Sequence, residues 1–70
     1  MKYHVDFSVQ DAERTVKRVY PELHPVLIGE TKSHAYLVFE IDFPDGTFYF
    51  RVDDRTVSPA FTNLDDAVNH

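Results

Sequence analysis

The stretch "EIDFPDGTFYFRVDDRT", Glu40 to Thr56, has apolar residues at every second position on both sides of a Pro-Asp-Gly break. Such alternation is typical of a β-strand with one buried and one solvent-facing side. A break of this composition is typical of a tight turn. The stretch therefore predicts a β-hairpin that belongs to a larger sheet.

Two registers compete for this hairpin. A three-residue loop over 44–46 would set Phe43 opposite Thr47 and would turn the phenylalanines of the second strand to the other face. A two-residue loop over 45–46, or a four-residue loop in the same register, sets Phe43 against Phe48 instead.

The burial of large side chains decides between the two registers. Each phenylalanine that moves into the core stabilises the fold by about 1.5–3 kcal/mol, which exceeds the difference between turn types. We therefore predict the second register, which also places Glu40 opposite Arg51 as a cross-strand ion pair. Its apolar face consists of Ala35, Leu37, Phe39, Ile41, Phe43, Phe48, Phe50 and Val52.

One helix is predicted before the hairpin, from about residue 9 to residue 20. Ser8 and Asp11 form a weak capping box at its start, and Pro21 ends it because proline cannot continue the hydrogen-bond ladder. The helix presents one apolar stripe, which we expect to pack on the apolar face of the hairpin. Its members are Val9, Ala12, Val16, Val19 and Tyr20.

Shorter elements are predicted on either side of these two. Tyr3, Val5 and Phe7 alternate with Lys2, His4 and Asp6, as in a strand. Residues 26–30, "VLIGE", predict a second strand at a sheet edge or with a bend near Gly29. A short closing strand is expected near Val57. Thr62 caps a short C-terminal helix that contains Leu64, Ala67 and Val68.

The predicted fold class is α+β, as a single small domain over residues 1–70. One helix packs on one face of an antiparallel sheet of three to four strands in the order β-α-β-β-β, followed by the short C-terminal helix. Seventy residues leave no room for a second domain.

The face of the hairpin that points away from the helix is the candidate functional surface. Tyrosine and arginine are frequent at protein-binding hot spots, and this face carries both. An ordinary solvated sheet face is the alternative interpretation, and the two stay open at this point. The candidate binding residues are Tyr36, Val38, Glu40, Tyr49 and Arg51.

Composition excludes or disfavours several classes of function. The chain has no cysteine, so neither a disulfide framework nor a thiolate zinc site can form. A net charge of −5 repels nucleic acid. The apolar runs are too short to span a membrane, and the first fifteen residues lack the apolar core of a signal peptide, so we expect a cytoplasmic protein without membrane contact.

Catalytic and metal-binding motifs are not recognised either. The four histidines share no ligand spacing and are interpreted as surface residues. The acidic pairs 53–54 and 65–66 lack the loop pattern of a calcium site. No serine lies in a nucleophile pattern. We therefore expect a protein that is not an enzyme and binds no metal or cofactor.

The segments "YPELHPVLIGE" and "YLVFEIDFPDGTFYFRVDDRTVSP", which follow the predicted helix, resemble the PepSY domain family. The resemblance covers roughly residues 12–60 and departs at Val57, where that family usually has glycine. It implies a non-catalytic module that binds or restrains a partner such as a peptidase. The residues that match the pattern are Tyr36, Val38, Asp45, Gly46, Val52, Asp53 and Thr56.

The functional hypothesis is a small regulatory or interaction module that binds a protein partner through a sheet face or edge. The alternative is an acidic inhibitor that mimics nucleic acid and binds a basic nuclease or DNA-binding protein, because the chain is acidic. A homodimer through an edge strand or through the second sheet face is a third, structural alternative.

Overall fold

The computed structural model describes residues 3–70. Helix α1 spans Val9–Val19 and begins where the capping pattern predicts. The Ser8 Oγ accepts a hydrogen bond from the Asp11 N–H at 3.1 Å. At the other end, the Tyr20 N–H donates to the Val16 carbonyl at 3.0 Å, and Pro21 follows. The predicted helix is confirmed, and it ends one residue before the predicted limit.

Three strands form one antiparallel sheet in the order β1-β2-β3. They are β1 (Val26–Glu30), β2 (Leu37–Phe43) and β3 (Gly46–Val52). The register of β1 against β2 shifts between Leu27 and Gly29. This irregularity confirms the bend predicted near Gly29. Strand β1 is an edge strand, as one of the two predicted alternatives had it.

The hairpin register differs from the predicted one by two residues. Phe43 lies opposite Gly46, so the loop consists of Pro44 and Asp45. A two-residue shift keeps every side chain on its predicted face, and burial therefore does not distinguish this register from the predicted one. Turn chemistry decides, because proline suits the first loop position and Gly46 supplies a φ of 148°.

The shift also removes the predicted pair between Glu40 and Arg51. Glu40 lies opposite Tyr49, and Arg51 lies opposite Val38. Glu40 and Arg51 form no salt bridge within residues 3–70, so that prediction is wrong.

The core lies between α1 and one face of the sheet. The seven buried residues of this cluster come from the predicted helix stripe and the predicted hairpin face; they are Ala12, Val16, Leu37, Phe39, Ile41, Phe50 and Val52. The helix-on-sheet arrangement is thereby confirmed. The Tyr20 ring closes the cluster against Phe43 and Phe50, with centroid separations of 5.5 and 5.2 Å.

Two apolar-face predictions need correction. Val19, the last residue of α1, is 51% exposed and lies outside the buried cluster. Thr15 takes a buried position instead. Its hydroxyl donates to the Asp11 carbonyl at 2.8 Å, which satisfies the polar group inside the core. Ala35 is exposed, because β2 begins only at Leu37.

The predicted N-terminal strand does not form within residues 3–8. Tyr3, Val5 and Phe7 pack against the core, so their alternation reflects burial without strand pairing. Lys2 of the same pattern lies outside the described residues. The order of elements is therefore α-β-β-β-α, with three strands.

The C-terminal segment crosses back over β3. Val57 and Phe61 form isolated bridges with Val52 and Tyr49 in place of the predicted closing strand. The predicted C-terminal helix is confirmed as α2, Leu64–Val68. Its cap is Asn63 and not Thr62, since the Asn63 Oδ1 accepts from the Asp66 N–H at 2.9 Å.

The turn geometry yields a matched pair of substitutions. Gly46→Ala is expected to lower the free energy of unfolding by about 1–3 kcal/mol, because an L-residue is strained at a φ of 148°. Gly29→Ala is expected to raise it by about 0.4–1 kcal/mol, because an added Cβ has no atom within 4 Å and the unfolded chain loses entropy. Urea denaturation measures both. Equal effects of the two substitutions would contradict the two-residue loop.

Candidate functional site

The outer edge of β3 is closed by the C-terminal segment. Tyr49 and Phe61 exchange two backbone hydrogen bonds, at 2.9 and 2.8 Å. Next to them, the Ser58 N–H donates to the Arg51 carbonyl and the Ser58 Oγ accepts from the Arg51 N–H, both at 2.9 Å. These bonds satisfy backbone groups that an edge strand would otherwise leave unpaired.

Arg51 anchors the same segment with its side chain. Its Nε donates to the Ala67 carbonyl at 2.8 Å, and its Nη2 donates to the Asp66 carbonyl at 2.9 Å. Its Cζ lies 4.5 Å from the centroid of the Phe61 ring, a cation–π geometry. The guanidinium therefore ties α2 to the face of the sheet opposite α1.

The face predicted for recognition is consequently not an open surface. Val38, the cross-strand neighbour of Arg51, is fully buried, as is Ala67 of α2. The prediction that Val38 is accessible to a partner is wrong. The Arg51 guanidinium already donates hydrogen bonds to carbonyls of α2. Tyr36, Glu40 and Tyr49 are half-buried at the border of the covered area, and their role in binding stays a prediction.

The structure also keeps the two tyrosines of this face apart. Tyr49 lies opposite Glu40, whereas Tyr36 precedes β2 by one residue and contacts the ring of His70 at a centroid separation of 5.1 Å. Four residues of extended chain between positions 36 and 40 correspond to about 13 Å. The two tyrosines therefore do not form one cluster on this face.

The outer edge of β1 differs from that of β3. Within residues 3–70, the backbone of Val26–Glu30 makes no hydrogen bond other than those of its ladder with β2. Two large apolar side chains on this strand reach solvent, Val26 at 54% and Ile28 at 37% exposure. Strand β1 is therefore an apolar sheet edge whose outer backbone groups have no partner in the described chain.

A cluster of three polar side chains lies at the end of β1. The Glu30 Oε2 is 2.8 Å from the Nδ1 of His4 and 2.8 Å from the Nδ1 of His34. The Glu30 Oε1 accepts from the His4 backbone N–H at 2.7 Å. The two imidazole rings lie 4.8 Å apart. The carboxylate thus joins the N-terminal segment to the turn between β1 and β2.

These contacts change the acidity of Glu30. The hydrogen bond from the His4 backbone N–H, followed by the one from the His4 ring, lowers the pKa of Glu30 to about 2 from its usual 4.5, and the His34 ring adds to the effect. The ionised carboxylate is therefore the form that the folded protein stabilises.

Sequence reasoning missed this cluster. All four histidines are exposed, as interpreted, but His4 stands 26 residues before Glu30, and that separation carries no motif. The one available signal was the spacing of four between Glu30 and His34. The fold supplies the proximity, because the N-terminal segment packs beside the end of β1.

Comparisons with known proteins identify no relative of this chain. No family model, no curated protein and no solved structure matches the chain. The PepSY resemblance therefore stays a prediction. No helix within residues 3–70 is long and apolar enough to cross a membrane.

Arg51→Met is expected to loosen the C-terminal segment. Losing two hydrogen bonds from a charged group should lower the free energy of unfolding by about 1–3 kcal/mol and speed amide exchange at Phe61 about tenfold. Hydrogen exchange followed by NMR measures both. Arg55→Met is the control, because that guanidinium is exposed and donates no hydrogen bond to residues 3–70. Unchanged exchange at Phe61 would show that Arg51 is not the anchor.

Acid is expected to weaken the attachment of the N-terminal segment. Because the pKa of Glu30 is lowered on folding, its contribution to stability is present above pH 4.5 and is lost as the pH falls towards about 2. The free energies of unfolding of the native chain and of Glu30→Gln should therefore converge over this interval. A difference independent of pH from 5 to 2 would contradict the assignment.

Proposed function

We propose that this domain is a non-enzymatic interaction module that binds an extended segment of a partner protein along the outer edge of β1. The observation that carries the proposal is the asymmetry of the sheet. The C-terminal segment pairs with the outer edge of β3, while the outer edge of β1 has no backbone partner within residues 3–70.

An unpaired edge strand is a template for β-augmentation, in which backbone hydrogen bonds supply affinity and side-chain pockets supply specificity. Strand β1 carries no lysine, which would discourage such pairing, and it exposes two β-branched apolar residues, Val26 and Ile28. Pro25 and the register shift after Leu27 confine the template to a few residues. Because β1 is short, it pairs poorly with unspecific partners but can still pair with a short partner strand.

Charge indicates the chemistry of the partner segment. The chain has a net charge of −5, and Glu40 is the cross-strand neighbour of Val26. A partner strand would place apolar side chains beside Val26 and Ile28, and a lysine or arginine on that same face would reach towards Glu40. The PepSY resemblance, which implies a module that binds a protein, is in the same functional class.

The acidic-mimic alternative has less support from the placement of the carboxylates. Asp42 lies near the hairpin turn and Asp53 follows the far end of β3, about 20 Å away along the strand. The Asp53 carboxylate also accepts hydrogen bonds from the Arg55 and Thr56 N–H groups. The acidic groups are dispersed, and the Asp53 carboxylate is already hydrogen-bonded within the chain. This arrangement favours binding at the β1 edge over mimicry of nucleic acid. The proposal retains the cytoplasm as the place where the partner is met, which cell fractionation tests.

Selection of peptides on the immobilised domain tests the proposal directly. A library of random twelve-residue peptides is expected to yield extended sequences that are rich in apolar and basic residues. Adding such a peptide should slow amide exchange within Val26–Glu30. The substitutions Val26→Lys and Ile28→Lys should each weaken binding about tenfold or more, since a charge on an edge strand opposes pairing.

Val19→Lys is the matched control, because Val19 is as exposed as Val26 but lies on α1. Loss of binding in this control, or protection at sites outside β1, would overturn the proposal. Binding that weakens steeply with salt and ignores the β1 substitutions would favour the acidic mimic. Concentration-dependent dimerisation that Val26→Lys abolishes would show that the occupant is a second copy of the chain.

A further inference from the structure

We propose that His4, Glu30 and His34 form a binding site for a divalent transition metal ion of the zinc class. The three residues offer two imidazole nitrogens and one carboxylate oxygen, and these ligand atoms lie within 4.8 Å of one another. Nitrogen and oxygen donors of these types suit zinc and its neighbours, whereas calcium and magnesium take oxygen ligands. This site is independent of the proposed binding at the β1 edge.

The spacing of the donor atoms is close to that of a tetrahedral ion. Bonds of about 2.0–2.2 Å separate tetrahedral ligands by about 3.3–3.6 Å. Each Nδ1 lies 2.8 Å from the shared carboxylate oxygen, so each ring would move away from that oxygen by about 0.5–0.8 Å. Both histidine side chains are exposed, so a small rotation of each ring can make this adjustment, while Glu30 is only 15% exposed and is held in place.

The fold positions all three side chains before any ion binds. His4 is fixed by its backbone bond to Glu30 and by its neighbours Tyr3 and Val5, which pack on the core. His34 has a φ of 62°, a left-handed conformation that non-glycine residues rarely adopt and that accumulates at functional sites. Preorganised ligands of this kind lose little freedom on binding.

The buried residue Thr31 holds the turn in which His34 lies. The Thr31 carbonyl accepts from the His34 N–H at 3.0 Å, and the Thr31 N–H donates to the Tyr36 carbonyl at 2.9 Å. Its Oγ1 accepts from the Tyr36 N–H at 3.3 Å. These bonds hold the backbone of the turn from which the His34 ring reaches Glu30.

A bound ion would take the place of the Nδ1 protons beside the shared carboxylate oxygen, and each neutral imidazole would then carry its one proton on Nε2. Three protein ligands leave one position of a tetrahedral ion for water or for a side chain of another molecule. The ion would strengthen the link that the Glu30 carboxylate already makes between the N-terminal segment and the end of β1. Metal binding would thereby stabilise the fold by mass action.

Isothermal titration with zinc chloride tests the site on the full chain. We expect one ion per chain, and we expect His4→Ala, Glu30→Gln and His34→Gly each to weaken binding about tenfold or more. Glycine is chosen at position 34 because it tolerates the left-handed backbone. His24→Ala is the matched control, since it removes an exposed histidine outside the cluster and should leave the affinity unchanged.

NMR of the imidazole nitrogens in the native chain provides a readout that does not require folded variants. Zinc should shift the ring resonances of His4 and His34 and leave those of His24 unchanged. Absence of zinc binding by the native chain, equal losses in the His24→Ala control, or shifts spread over all four histidines would each overturn the proposal. None of these results would bear on peptide binding at β1.

Discussion

The structure depends on the burial of one face of the β2–β3 hairpin under α1. Phe39, Ile41 and Phe50 lie against Ala12 and Val16 in the buried cluster. Each large side chain buried there stabilises the fold by about 1.5–3 kcal/mol, which is a considerable share of the stability of a domain this small. Because side chains alternate across a strand, burying this face also determines which residues occupy the other one.

That other face serves the fold more than the sequence suggests. Arg51 and the bridges at Val57 and Phe61 bring the C-terminal segment across it and along the outer edge of β3. The domain thus uses its last residues to close one side of the sheet and bury Val38. Strand β1 receives no equivalent cover from residues 3–70, so the binding capacity we propose is concentrated on one edge.

The end of β1 combines two features of different chemistry. The strand offers an apolar edge, while its last residue, Glu30, holds two imidazoles that arrive from separate parts of the chain. The carboxylate reaches them because the N-terminal segment packs on the core without joining the sheet. A strand in residues 3–7, as the alternation predicted, would have paired its backbone in a ladder. The segment instead reaches the sheet through the carboxylate of Glu30.

Local sequence determined the elements whose signals act over short distances. The Ser8 cap and Pro21 bound α1, and period-two alternation sorted the residues of β2 and β3 between the two faces correctly. Tertiary structure decided the rest. The hairpin register followed from the Pro44-Asp45 turn, because a two-residue shift leaves burial unchanged. The cover over Val38 and the cluster at Glu30 formed between residues that are far apart in the chain. Periodicity describes which side of an element is apolar, but it carries no information on which distant segment will pack there, since that depends on the free energy of the assembled fold.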